Sequence, residues 1–557
     1  MKKRYLVWAA AAAFLASVGS ASAAGVVAGT IKGSDGAALR AIWVRAEKVD
    51  TKRTTSVLSN NQGRYRIDEL PPGKYAVWAT AIGWRGKPAR LSDVTVAEGQ
   101  TVTADFAMTA APVLWHELTK AQAITLLPEA PGKELFLTSC MNCHGMGKIV
   151  GRRDVQGWLD AIDTMRRVGV TTPTNPRPAV ANEVAGYLAE VLGPDSPTPV
   201  SPASLPGYKP LTLQWSDEAL NIVYVDYPVK AGPAGRPGVG EMDAAGIVWM
   251  ETDNGLIKLD PATGESKAFY VPDSMGDQGG MHEVVRDRLD PAVLWLTAQS
   301  ANALVRFDSR TETFEVYRDP TKPGRVTQID PNTPNKFPRV QAQGEGQAGT
   351  GRKHTAVVDL EGNVWTTGRP LMKFNPKTKE WTSFADSVPD VYGIDVDQAG
   401  NVWFAEFNSA ENGSVGMVDV KTGKLTKFKP PSPEGRPRRL HVDSKGNIWF
   451  GQYFNGSIGK FDPKTKQFVE YKLPGPYPTV YGFGIDKNDH VWGVSHFNEA
   501  TFEVTPAGKV TAYPSPYLTR GTRDLKVGAQ NRMWGGIQPE YKIGYFYVRK
   551  AEAGGTQ

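Results

Sequence analysis

Cysteine is almost missing from this chain: of 557 residues two are cysteine, and only seven are histidine. A disulfide framework is excluded, and so is any metal centre built from several thiolates. Beyond the first 24 residues no stretch approaches the roughly 20 apolar residues that a membrane-crossing helix needs. A strong charge of either sign is also lacking. Lys and Arg number 64 against 58 Asp and Glu, a formal net charge of +6, and no basic cluster with interleaved aromatics suggests a nucleic-acid groove. The length is too great for a single core, so several domains are expected.

The first 24 residues carry Lys2, Lys3 and Arg4, an apolar run from Tyr5 to Val18, then Ala21-Ser22-Ala23. This is the pattern of a secretory signal, cleaved near Ala23. The expected location is the periplasm.

Both cysteines fall in "SCMNCHGMG", residues 139–147. A disulfide across two residues would close a tiny loop and stabilise little, whereas C-x-x-C-H is the pattern of covalent c-type haem attachment. One haem c is expected, bonded to Cys140 and Cys143, with His144 as an axial iron ligand. Helical periodicity surrounds the motif in "PGKELFLTSC", "DVQGWLDAIDTMRRVG" and "PAVANEVAGYLAEVLG". On the middle segment Trp158, Ile162 and Met165 share one face. Met165 is either plain core or the sixth iron ligand. The segment 111–193 resembles a class I c-type cytochrome, which implies a small helical haem domain that exchanges electrons with a periplasmic redox partner.

Residues 25–110 read as short alternating strands broken by turn signals, a small β-sandwich. The stretch "NNQGRYRIDELPPGKYAVWATAIGW" resembles carboxypeptidase regulatory-like domains, which implies an immunoglobulin-like module without catalytic residues. Residues 194–220 are rich in proline and read as a linker.

From residue 221 to 549 the chain repeats itself. Units such as "GNVWFAEFNSAENGSVGMVDVKTGKLTKFKPP" and "GNIWFGQYFNGSIGKFDPKTKQFVEYKLP" carry a marker tryptophan, at Trp249, Trp295, Trp365, Trp403, Trp449, Trp492 and Trp534. Their spacing fits the roughly 40 to 50 residues of a propeller blade, except for an insertion at about 318–350. The last unit lacks a fourth strand, and "NIVYVDYPV" at 221–229 is the expected replacement, closing a seven-bladed β-propeller. The expected fold is therefore multidomain and mainly β: an Ig-like sandwich, a small α-helical cytochrome c domain and a C-terminal propeller.

Counting back eleven residues from each tryptophan, with the second unit corrected for two extra residues, predicts a ring at the channel mouth: Gly238, His282, His354, Tyr392, Arg438, Tyr481 and Arg523. His282 and His354 could share a divalent metal or act as acid and base, or they are ordinary polar lining. His441 and His490 lie off this register. The repeats "YGIDVDQAGNVWFAEF" and "GSIGKFDPKTKQFVEYKLPGP" resemble virginiamycin B lyase, which implies the propeller and a metal-assisted C–O elimination using histidines and a glutamate. The residues matching that pattern are His282, His354 and Glu406, whereas Gly368 occupies the glutamate position of the His354 blade.

Three functions follow as expectations. The first is electron transfer between the haem and a small-molecule substrate or docked dehydrogenase, an oxidoreductase in the former case. The second is a lyase acting at the channel. The third is a non-catalytic scaffold that carries electrons.

Overall fold

The computed structural model describes residues 24–139, 152–167, 178–196 and most of 201–550, where the longest gap is 321–352. Residues 1–23, the C-x-x-C-H motif and nearly all of the insertion lie outside the described residues.

The chain is mainly β, and its N-terminal part is an Ig-like sandwich. Strand Arg64–Leu70 shows why: Tyr65, Ile67 and Leu70 turn inward while Arg64 and Arg66 face water, the period of two that a half-buried strand requires. It pairs with Gly25–Gly33, which also runs beside Phe106–Ala110. The second sheet contains Trp43–Lys48, Thr54–Leu58, Gly73–Thr80 and Leu91–Val96. Val27, Val44, Ile67, Val77 and Phe106 fill the space between the sheets.

Four helices follow among the described residues: α1 (Lys120–Leu126), α2 (Lys133–Ser139), α3 (Val155–Arg167) and α4 (Pro178–Leu192). A reciprocal cap starts α1: the Thr119 hydroxyl accepts from the Gln122 N–H at 3.2 Å, and Gln122 Oε1 accepts from the Thr119 N–H at 2.8 Å. Phe136, Trp158, Ile162, Val184, Tyr187 and Leu188 make one buried cluster.

Six four-stranded antiparallel sheets succeed one another from Gly240 to Pro514, each complete within its own stretch of sequence. The seventh is made by Lys526–Val527, Met533–Ile537 and Lys542–Val548, and its outer strand is Ile222–Pro228 from the other end of the repeat. The inner strands of blades 1 and 7 touch, so the ring closes. In six of the seven blades one aspartate organises the turn before the tryptophan strand. In blade 5, Asp443 Oδ1 accepts from the N–H groups of Lys445 and Asn447, and Oδ2 accepts from Trp449 Nε1 at 2.9 Å. The same Asp–Trp bond recurs at Asp243, Asp287, Asp359, Asp397 and Asp486; the pattern D-x-x-G-N-x-W encodes it at Asp359, Asp397 and Asp443, and looser variants do so in blades 1, 2 and 6. In blade 7 Gly528 stands against the Trp534 ring.

The sandwich and the propeller are not beads on a string. Strand Ile222–Pro228 pairs on its free side with Thr54–Leu58, giving one eight-stranded sheet that runs from blade 7 into the sandwich. An exposed edge that would invite association is thereby covered. Buried Asp226 sits on this seam, 3.3 Å from Lys542, and accepts from the Tyr517 hydroxyl.

Candidate functional site at the propeller mouth

The innermost strands of blades 2, 4, 5 and 6 each carry a register shift at their first residues, between Met281 and Val284, Val391 and Ile394, Pro437 and Leu440, and Val480 and Gly482. A bulge breaks strict alternation. Consecutive residues at these points, such as His282 with Glu283 and Arg438 with Arg439, both reach the middle of the ring, and they form two tiers.

The upper tier is the ring expected from the register. His282 and His354 lie against one another, centroids 3.6 Å apart with their planes tilted by 37°, and His354 lies 4.0 Å from Tyr392. The Arg438 guanidinium carbon is 4.4 Å from the Tyr392 ring and 3.4 Å from that of Tyr481, and Arg438 donates to the Tyr392 hydroxyl. Arg523 pairs with Glu251 at 3.2 Å. Gly238 is required at its place, since a Cβ there would meet Glu251 Oε1 at 2.1 Å.

The lower tier escaped sequence reasoning. Arg439 of blade 5 reaches Glu283 of blade 2 at 2.9 Å and Asp524 of blade 7 at 3.5 Å. Those blades are not neighbours, so these bonds cross the axis. His441 joins Asp395 at 3.3 Å and Asp524 at 3.4 Å, and Lys526 lies 3.6 Å from Asp524 and 3.9 Å from both Glu241 and Glu283. The centre of the lattice is nearly dry, with Arg439, Glu283 and Asp524 each 2% exposed or less, whereas His441, Asp395, Lys526 and Glu241 around it are partly exposed. At this depth the channel is plugged by charged side chains. Strands Pro437–Val442 and Val391–Val396 approach so closely that a Cβ at Gly393 would lie 2.6 Å from the Arg438 carbonyl oxygen.

Titration follows the pairing. Burial presses His441 down, but Asp524 and Asp395 outweigh it and raise its pKa to about 9. Burial raises Asp524, yet Arg439, His441 and Lys526 hold it well below the usual carboxylate range. Burial raises Glu283 and, still more, Glu251, against the pull of Arg439 and Arg523 respectively. In the upper tier burial lifts Tyr392 to about 12. Burial lifts Tyr481 too, but Arg438 and Arg523 bring it down to about 7.

The expected site residues divide. His282 and His354 are together, whereas Glu406 is held within its own blade, 2.6 Å from Lys427 and accepting from the Ser414 hydroxyl. His490 hydrogen-bonds with Glu503 through Nδ1, at 2.5 Å. Among the described residues no three His, Cys, Asp or Glu side chains gather as a metal site would require. Two imidazoles beside tyrosines and arginines do not fit a divalent cation. Cys140, Cys143 and His144 lie outside the described residues, and Met165 lies on α3.

The surroundings of the motif suit a porphyrin. α2 ends at Ser139, immediately before Cys140, and within the apolar cluster of α2, α3 and α4 the buried Trp158 Nε1 has no hydrogen-bond partner among the described residues.

The helical unit rests on the mouth side of the propeller. Val480 pairs with Ser495, so the loop after Ser495 lies at the same end of blade 6 as Tyr481. Phe497 of that loop belongs to the helical cluster, its carbonyl accepts from the Ala121 N–H at 2.9 Å, and Lys120 Nζ lies 5.5 Å above its ring.

Residues 26–109 match the carboxypeptidase regulatory-like domain family. No curated protein matches the chain. Among solved structures, a streptogramin B lyase is 18% identical, with 60% of this chain and 100% of that one covered at a TM-score of 0.49. A virginiamycin B lyase from Staphylococcus aureus is 14% identical, with coverage of 59% and 100% and a TM-score of 0.48. The WD40 β-propeller domain of Doa1 follows at 12% identity, coverage of 56% and 92%, and a TM-score of 0.40. At such values the likeness extends to no activity.

Proposed function

We propose that this protein is an exported electron-transfer protein, a monohaem c-type cytochrome unit working with a propeller whose mouth holds a small molecule or faces a docked periplasmic dehydrogenase. Cys140 and Cys143 hold the haem, and His144 and Met165 bind its iron. When bound, the haem supplies one-electron chemistry. The buried Trp158 N–H would be available as a donor to it. The observation that carries the reading is the seat of α1 on Phe497, which sets the helical unit beside the end of the propeller where His282, His354, Tyr392, Arg438 and Tyr481 gather.

The propeller's part is to bind and orient. Arg438, Tyr392 and Tyr481 form a polar, aromatic floor, and the lattice beneath closes the channel to water. The paired imidazoles at 3.6 Å leave acid–base work at the mouth as a second reading. An elimination relying on Glu406 is disfavoured by its commitment to Lys427 and Ser414. The test is to purify the protein from a host with cytochrome c maturation and follow the haem α-band while candidate periplasmic metabolites are added. Reduction of the haem is the expected result; elimination products with an unchanged band would transfer the reading to a lyase.

A further inference from the structure

We propose that the propeller mouth binds a small organic carboxylate with a flat apolar body, its charge met by Arg438. This rests on the reading that the mouth is the small-molecule site, and names the class of molecule.

Three arginines stand near the axis, and two have carboxylate partners. Arg439 is shared by Glu283 and Asp524, and Arg523 is paired with Glu251. Arg438 has no carboxylate partner among the described residues, although it is 6% exposed. Its Nη2 donates to Tyr392, while Nε and Nη1 are buried with no hydrogen-bond partner among the described residues. A guanidinium taken out of water without a counter-charge is costly. Four rings offset part of that cost: those of Tyr481, Tyr392, Tyr453 and Phe407 lie 3.4, 4.4, 5.1 and 5.2 Å from its carbon. An oxyanion supplies the remainder and uses the open donors.

The body of the ligand follows from the rim. Phe407 and Phe454 are stacked 5.8 Å apart at 7°, with Tyr453 edge-on to both, and Phe454 is 55% exposed. Arg436 lies over the outer ring, 5.1 Å from the Phe454 centroid, and flat rings beside the Arg438 guanidinium favour a planar carboxylate over a small hydrated anion.

Tyr481 couples the site to pH. Facing it are Arg438, Arg523 with its partner Glu251, and Tyr392, which in turn touches His354 and Arg439. With the mouth empty, its phenolate partly balances Arg438. A carboxylate competes for the same cation, so binding brings a proton onto Tyr481 and weakens as pH rises through neutrality.

Calorimetric titration of the full-length protein with benzoate, benzamide and inorganic phosphate tests this. Benzoate is expected to saturate, with benzamide and phosphate at least about tenfold weaker, and Arg438→Gln to abolish the preference. Benzoate affinity should fall on the alkaline side of neutrality, and Tyr481→Phe should flatten that fall, a readout that stands even if Arg438→Gln does not fold. The proposal is overturned if benzoate fails to saturate, if benzamide or phosphate binds as tightly, or if Arg438→Gln binds benzoate like the parent. A chain without a Soret band that still binds benzoate would sink the electron-transfer reading alone. A haem-loaded chain that ignores benzoate would sink this one alone.

Discussion

Arg438 and Arg439 are neighbours in sequence and opposites in circumstance. Arg439 lies in the lower tier, with two carboxylates across the channel axis, and Arg438 in the upper tier, among aromatic rings and without a carboxylate. His282 with Glu283, and Arg523 with Asp524, divide in the same way. The lower tier is what stability looks like when charges are buried, every cation answered by an anion. The upper tier pairs Arg523 with Glu251 but leaves Arg438 to aromatic rings alone, and that is where a ligand's charge can be met.

Breaking the lower tier should have the largest effect. Arg439→Met removes the cation closest to Glu283 and leaves the buried pair of Glu283 and Asp524 only the longer contacts of Lys526 and, for Asp524, His441; the expected cost is about 3 kcal/mol. A large fall in the melting temperature of the propeller would show it, and an unchanged melt would mean that the lattice is decoration.

The next effect is pH dependence. His441 titrates near 9 in the folded chain against 6.5 for the ordinary side chain, so its contribution is full below pH 6.5 and lost as pH rises through 9. Asp524, held low, does the reverse, contributing above its ordinary value of 3.8 and failing as pH falls. Melting temperature should therefore decline on the alkaline side, and His441→Asn should remove that decline.

A smaller effect belongs to the blade turns. Asp443→Ala removes an acceptor from two N–H groups and the Trp449 indole, with an expected cost of about 1 to 3 kcal/mol by chemical denaturation. Blade 7, which has no turn aspartate, offers the control: Trp534→Phe loses no Asp–Trp bond and should cost less than Trp449→Phe.

The smallest effect on stability is expected at Arg438. Arg438→Gln removes a cation that no carboxylate answers, so the melt should move by no more than about 1 kcal/mol equivalent in either direction. A loss as large as that of Arg439→Met would erase the distinction between the tiers.

The blades were legible because every one has its marker tryptophan, and these recur at near-constant spacing apart from the insertion. The closing strand at 222–228 was legible too, since a three-stranded last unit leaves an edge that something must cover. The upper ring followed from the same register. The lower tier did not, because alternation turns Glu283 and Arg439 away from the axis and only the bulges bring them back. Nor did the fusion of sandwich and blade 7, which depends on Thr54–Leu58 finding an outer strand far along the chain. Glu406 was read from its W-F-x-E context, but Ser414 and Lys427, which hold it, come from the next two strands of its blade.

The claim on which the electron-transfer reading depends is a haem bonded to Cys140 and Cys143. The direct measurement is the intact mass and visible spectrum of protein matured in a host that assembles c-type cytochromes. The account predicts a mass increased by one covalently held haem, together with a Soret band. An unmodified polypeptide without that band would contradict it.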